Sequence, residues 1–179
     1  MEKKKKPEYN NIVFDSNEEI DFYKWCEEAL DKGLIESFYY QPNPFKLSSR
    51  ASIKVTKQLK TKTKIVDKFL LHPHEYTADF ALIPSHGLIF TCDDLISTSD
   101  DNCVVIDVKG SFMKYHDGKS FSINQKWVFS QYGIYVNKVV PDKLFKKTFV
   151  PEKCRITEKT NKPRKKYQGF KTVDEFIGI

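Results

Sequence analysis

Residues 104 to 112 read VVIDVKGSF, a run of β-branched residues broken by Asp107 and Lys109 and closed by Gly110. The run has the composition of a buried strand. Side chains two positions apart on a strand face the same way, so Asp107 and Lys109 are presented together at its end. Either they form an ion pair at a sheet margin, or the strand delivers both charges to a site that needs them.

The surrounding chain supplies the context. Upstream, DSNEEIDFYKWCEEALDKG, starting at Asp15, reads as a helix: Ser16 with Glu19 three residues on is a capping-box pair, and Gly33 is a stop signal. At 100° per residue Tyr23, Cys26 and Leu30 share an apolar face widened by Phe22 and Ala29, and Glu19 falls on it. IESFYY is extended. YTADFALI, from Tyr76 to Ile83, is expected to be one strand with Thr77, Asp79, Ala81 and Ile83 on one face. GLIFTC (87–92) is a further strand candidate, followed by the polar loop DDLISTSDDN. After VVIDVKG, Ser122 and Gln125 read as a cap opening a second helix that Gly133 stops. IYVNKVV is then a strand closed by Pro141. Helix, strands, helix and strand in this order predict an α/β fold with a mixed central sheet flanked by helices.

Two carboxylates from neighbouring strands, Asp79 and Asp107, beside a lysine suit a hard divalent cation. Mg²⁺ takes oxygen ligands and keeps several waters, so two carboxylates and a backbone carbonyl suffice. Such an ion polarises a phosphodiester and activates water, and a neighbouring lysine offsets transition-state charge. On its own, DVK is short and common, and a rim ion pair with Asp79 capping a turn explains it better. The helix carboxylate, the strand aspartate and the Asp-x-Lys pair, in that order, carry more weight.

This arrangement resembles the PD-(D/E)xK nuclease superfamily, whose core runs α-β-β-β-α-β. The segments SNEEIDFYKW, LIESFYYQP, YTADFALI, VVIDVKG and KWVFSQYGIYVNKV resemble, more closely, phage-encoded endonucleases allied to Holliday-junction-resolving nucleases. The resemblance covers residues 16–140, interrupted by a lysine-rich segment at 48–71. It implies a restriction-endonuclease-like core and a Mg²⁺- or Mn²⁺-dependent endodeoxyribonuclease acting on branched or structured phage DNA. Asp79 and Asp107 would be metal ligands, with the carbonyl of Val108 beside them, and Lys109 the catalytic lysine. Ala78 stands where the superfamily name has proline. Glu19 matches a helix glutamate that serves a second metal or a water on it; its alternative duty is the cap with Ser16, and Glu18 is the substitute. Gln125 and Lys126 correspond to positions that contact phosphate, or else are a cap residue and a solvated lysine. Symmetric junction resolution implies a homodimer. The rival readings are a non-catalytic DNA-binding module of the same fold, in recombination or packaging, and an interaction protein with basic tails.

Composition narrows the field further. The chain has 179 residues, 40% hydrophobic, with 14 Phe and 9 Tyr, which excludes a disordered chain. A net charge of +6 points to a polyanionic partner, or to lysines that are merely solvated. Lysines at 3–6, at 54–68 (Lys60, Lys62 and Lys64 among them) and at 143–171 are placed to follow a phosphate backbone. Tyr167 and Phe170 among them either stack on bases or pack. Residues 1–11 read as a flexible basic arm, 12–150 as the nuclease-like domain with its insertion at 48–71, and 151–179 as a basic extension. Cys26, Cys92, Cys103 and Cys154 are scattered and read as reduced, packed thiols of a cytoplasmic protein. His72 and His74 lack a third zinc ligand, and His86 and His116 stand alone. No apolar signal core follows the basic start, and no stretch reaches the ~18 apolar residues of a membrane span. With seven glycines and no glycine-rich loop, no nucleotide cofactor is expected.

Overall fold

The structure is a computed structural model that describes residues 5–85, 103–111, 115–157 and 160–179. They fall into two compact units: Met1–Pro42 with Ala78–Ile179, and Asn43–Thr77. In chain order, the hairpin β1 (Glu8–Tyr9) and β2 (Ile12–Val13) precedes α1 (Asn17–Asp31) and β3 (Ile35–Tyr40). The smaller unit holds β4 (Phe45–Ser48), β5 (Ala51–Gln58), β6 (Thr63–Leu71) and β7 (His74–Tyr76). The larger unit resumes with β8 (Phe80–Pro84), β9 (Val104–Val108), α2 (Tyr115–Tyr132), β10 (Val136–Val139) and α3 (Pro141–Lys147). It closes with α4 (Glu152–Arg155), the short pair β11 (Ile156–Thr157) and β12 (Lys162–Pro163), a 3-10 turn at Lys165–Tyr167, and α5 (Val173–Ile177).

The fold of the larger unit is α/β around a mixed four-stranded sheet of order β10-β9-β8-β3. β8 pairs antiparallel with both β3 and β9, while β10 is parallel to β9. A parallel pair cannot be closed by a tight turn, and α2 makes the crossover. β9 is therefore an interior strand and is buried along its whole length, which accounts for its Val and Ile content. Phe22, Trp25, Phe80, Leu82, Ile106, Phe145 and Phe149 fill the core between sheet and helices.

Several local expectations are corrected. The buried face of α1 runs through Phe22, Trp25, Cys26 and Ala29, while Leu30 is exposed. The face turns toward Trp25 because Phe149, from the C-terminal part, stacks on it at 5.4 Å. Tyr76 to Ile83 is not one strand: β7 ends at Tyr76, β8 starts at Phe80, and Asp79 occupies the bend before it. The second helix starts at Tyr115, so Ser122 and Gln125 lie inside it. Phe121 and Val128, both buried and two turns apart, carry its apolar stripe further upstream than the cap signal implied. Pro141, by contrast, both ends β10 and opens the short helix α3, in keeping with the helical turn expected of PDKLF.

The terminal segments also differ from expectation. Tyr9, half-buried, packs against the core, and the Phe14 N–H donates to the Pro7 carbonyl at 2.9 Å, so the arm is anchored from Pro7 onward. Residues 151–179 belong to the larger unit: Cys154, Tyr167 and Val173 are core residues. Tyr167 therefore packs rather than stacking on bases, and its hydroxyl donates to Asp142 at 3.0 Å. The separate unit is wider than 48–71, and its lysine-rich part is a hairpin. The strand candidate at 87–92 and the polar loop after it, with His86 and Cys92, lie outside the described residues, as do Lys3, Lys4 and the His116 side chain. Among the described residues, no helix is long and apolar enough to cross a membrane.

Candidate active site

Phe80 pairs with Ile106 across β8 and β9, and one further step along that register sets Asp79 beside Asp107. Asp79 is clamped from two sides. Its backbone carbonyl accepts the Gln41 N–H at 2.8 Å, and its Oδ2 accepts the Val108 N–H at 2.6 Å. The bend before β8 thus ties the end of β3 to the end of β9. Asp107 is only 4% exposed, on an interior strand, and pairs with Lys109. Lys109 sits one residue past β9, where its N–H donates to the Val139 carbonyl at 2.8 Å. Its ammonium lies 5.7 Å from the Phe121 ring of α2. Asp107 is thus buried in the sheet, while Lys109 stands just past the strand end and is partly exposed.

Glu19, 5% exposed, arrives from the first turn of α1. The Ser16 hydroxyl donates to its Oε1 at 2.9 Å, and the Asp15 N–H donates to its Oε2 at 3.2 Å. Tyr40 Oη, from the end of β3, donates to the same Oε2 at 2.9 Å. Glu19 is therefore a capping residue whose second oxygen also meets a side chain at the site. Tyr40 escaped the sequence reading because FYY at a strand end looks like ordinary packing. Burial, then the neighbouring Glu19 carboxylate, pushes the Tyr40 hydroxyl well above the usual phenol range.

The electrostatics tie these groups together. Asp79 is pushed up to about 7, first by burial and next by the charge of Asp107. Glu19 adds to the rise, whereas the Val108 N–H and the Lys109 ammonium oppose it. Two like charges in a partly dry site do not ionise together freely, and a raised carboxyl beside a second carboxylate marks a functional-site candidate. The structure thus brings Asp79, Asp107 and Lys109 together, with Glu19 near enough to add its charge and joined to Tyr40.

Other expected residues fall elsewhere. Val108 enters through its N–H, bonded to Asp79, rather than visibly through its carbonyl. Glu18 is exposed, with its Oε1 3.2 Å from where a Cβ on Gly110 would stand. It helps line a cleft of about 690 Å³ shared with Asn17, Ser111, Asp142 and Arg164. Gln125 is occupied structurally, its amide donating to the Val136 carbonyl at 2.6 Å, and Lys126 is exposed on α2. Lys60, Lys62 and Lys64 are exposed on the smaller unit.

An all-oxygen donor set of two neighbouring carboxylates fits a hard cation that keeps most of its waters. Among the described residues, no three His, Cys, Asp or Glu side chains converge as a ready-made metal cage. Comparison of the chain with known protein families, curated proteins and solved structures finds no match.

Proposed function

We propose that the larger unit is a restriction-endonuclease-like core and that the protein is a Mg²⁺-dependent endodeoxyribonuclease, with Mn²⁺ as a substitute ion. The observation that carries this reading is the Asp79–Asp107 pair beside Lys109 at the ends of two adjacent strands, with Asp79 held up near 7 by burial and then by its neighbour. Further support comes from the element order α1, β3, β8, β9, α2, β10 within one sheet system.

Asp79 and Asp107 would hold the ion. When bound, Mg²⁺ supplies Lewis-acid polarisation of a phosphodiester oxygen and acidifies water. The chain's own residues do the rest. The Val108 N–H fixes the orientation of the Asp79 carboxylate, and the Tyr40–Glu19–Ser16 chain holds a third carboxylate at the head of α1. Lys109 exchanges its contact with Asp107 for the negative charge that grows on the phosphoryl oxygens during in-line attack. Branched or structured phage DNA in the host cytoplasm is the proposed substrate. Symmetric cutting of a four-way junction would need two copies of the chain.

The test is incubation of linear, single-stranded and four-way-junction DNA with wild type and Asp107→Ala, in Mg²⁺ or in chelator. Wild type should cleave only with Mg²⁺, and the variant should bind DNA yet lose at least 100-fold in cleavage rate, on the order of the effect of removing an electrostatic catalytic group. Equal cleavage by the two proteins would overturn the site.

A further inference from the structure

The smaller unit, Asn43–Thr77, holds seven lysines and Arg50 against two acids, Asp67 and Glu75. Its balance is therefore +6, the entire net charge of the chain, and the basic and acidic residues of the larger unit cancel. The charge is unevenly spread within the unit as well. In the β5–β6 ribbon, residues directly opposite share a face. One face carries Ile53 with Lys68, Val55 with Val66, and Lys57 with Lys64; no acid stands on it. The other face carries the ribbon's one acid, Asp67, opposite Lys54. The turn, closed by the Leu59 N–H on the Lys62 carbonyl at 2.8 Å, adds exposed Lys60 and Lys62 at the tip.

Lys57 directly opposite Lys64 works against the hairpin, since like charges in a cross-strand pair destabilise it. Among the described residues, neither lysine has an ion-pair partner. Such a pair is explained by an anion shared between the two strands. An eight-pair ribbon of about 25 Å, narrow and exposed on both faces, has the dimensions that a DNA major groove admits. We infer that this β-ribbon is a sequence-independent grip for double-stranded DNA, its tip and acid-free face carrying the phosphate contacts through Lys57, Lys60, Lys62 and Lys64. This deepens the endonuclease reading by assigning the duplex-holding element, and it rests on that reading only for the identity of the substrate.

The test is fluorescence anisotropy on a labelled random-sequence duplex across a salt series, in chelator so that no cleavage intervenes. Changing Lys57, Lys60, Lys62 and Lys64 to Gln in the full chain should make the log–log salt slope shallower by about 3 to 4. A control with the same loss of charge, at exposed Lys143, Lys146, Lys162 and Lys165, should change the slope by about 1 or less. A separate variant guards against simple misfolding. Lys57→Glu turns the repulsive pair into an attractive one, so hydrogen exchange of the ribbon amides should slow while duplex affinity falls roughly tenfold. Equal losses in the two quadruple variants would overturn the proposal. So would the same lysine dependence on single-stranded DNA or on polyglutamate, or faster exchange in Lys57→Glu. A chain that binds duplex but never cuts it in Mg²⁺ sinks the nuclease reading alone. One that cuts while its salt slope ignores the ribbon lysines sinks this one alone.

Discussion

At the residue scale, Asp79 makes the site pH-sensitive in a definite direction. Its carboxyl is raised in the folded chain to about 7, so the native state favours the protonated form. The resulting stabilisation is complete below the ordinary carboxylate value of about 4 and is lost as pH rises through about 7. Asp79→Asn mimics the protonated form and can still accept the Val108 N–H. Urea midpoints in chelator should therefore show the variant gaining on wild type between pH 4 and pH 8, by on the order of 2 kcal/mol after allowance for partial exposure. A gap that stays flat with pH would show that burial and Asp107 do not raise this group. That Asp107 and Lys109 share a face was legible from spacing, because period two on a strand fixes it. The clamp on Asp79 was not, since it depends on a backbone N–H supplied 29 residues later.

At the element scale, the Gln125 amide ties α2, the crossover between the parallel strands β9 and β10, to the start of β10. Gln125→Ala should cost about 1 kcal/mol of unfolding free energy and leave DNA affinity within about twofold. A stability-neutral variant with weakened binding would instead place Gln125 on phosphate. The same helix shows where sequence pattern misleads. Ser-x-x-Gln spacing occurs at helix starts and inside helices alike, so the cap signature could not fix the boundary. The helix starts at Tyr115, seven residues before Ser122, and that boundary is a property of the fold. By contrast, the Ser16 side-chain cap on the Glu19 N–H was readable because local chemistry alone creates it. It also explains how Glu19 serves two ends, the helix start and Tyr40.

At the scale of the whole molecule, the C-terminal stretch is a structural part of the larger unit. Cys154, Tyr167 and Val173 are buried, Arg155 donates to the Phe170 and Lys171 carbonyls, and Arg164 reaches Asp21 at 3.8 Å. In sequence these are single apolar residues set among lysines, with no period to reveal a face, so the stretch read as a basic extension, although TVDEFIGI was readable as the closing short helix. Ending the chain at Val150 should abolish cooperative unfolding and native near-ultraviolet circular dichroism. A truncated chain that keeps a sharp melting transition would show the tail to be dispensable. The arm and the ribbon could be recognised as basic from composition. The confinement of the net charge to Asn43–Thr77 emerges only once the units are known.

The indole of Trp25 lies between Phe22 and Phe149, and its Nε1–H donates to Thr148 Oγ1 at 3.1 Å. Trp127 on α2 is the other indole, and it is partly open to solvent at 36% exposure. The chain thus carries two optical reporters of different character. The inner one is shielded from aqueous quenchers and emits toward the blue for as long as the residues after α3 stay seated on α1. The outer one answers to events on the crossover helix, so one emission spectrum reads out the locking of the C-terminal segment separately from changes at α2.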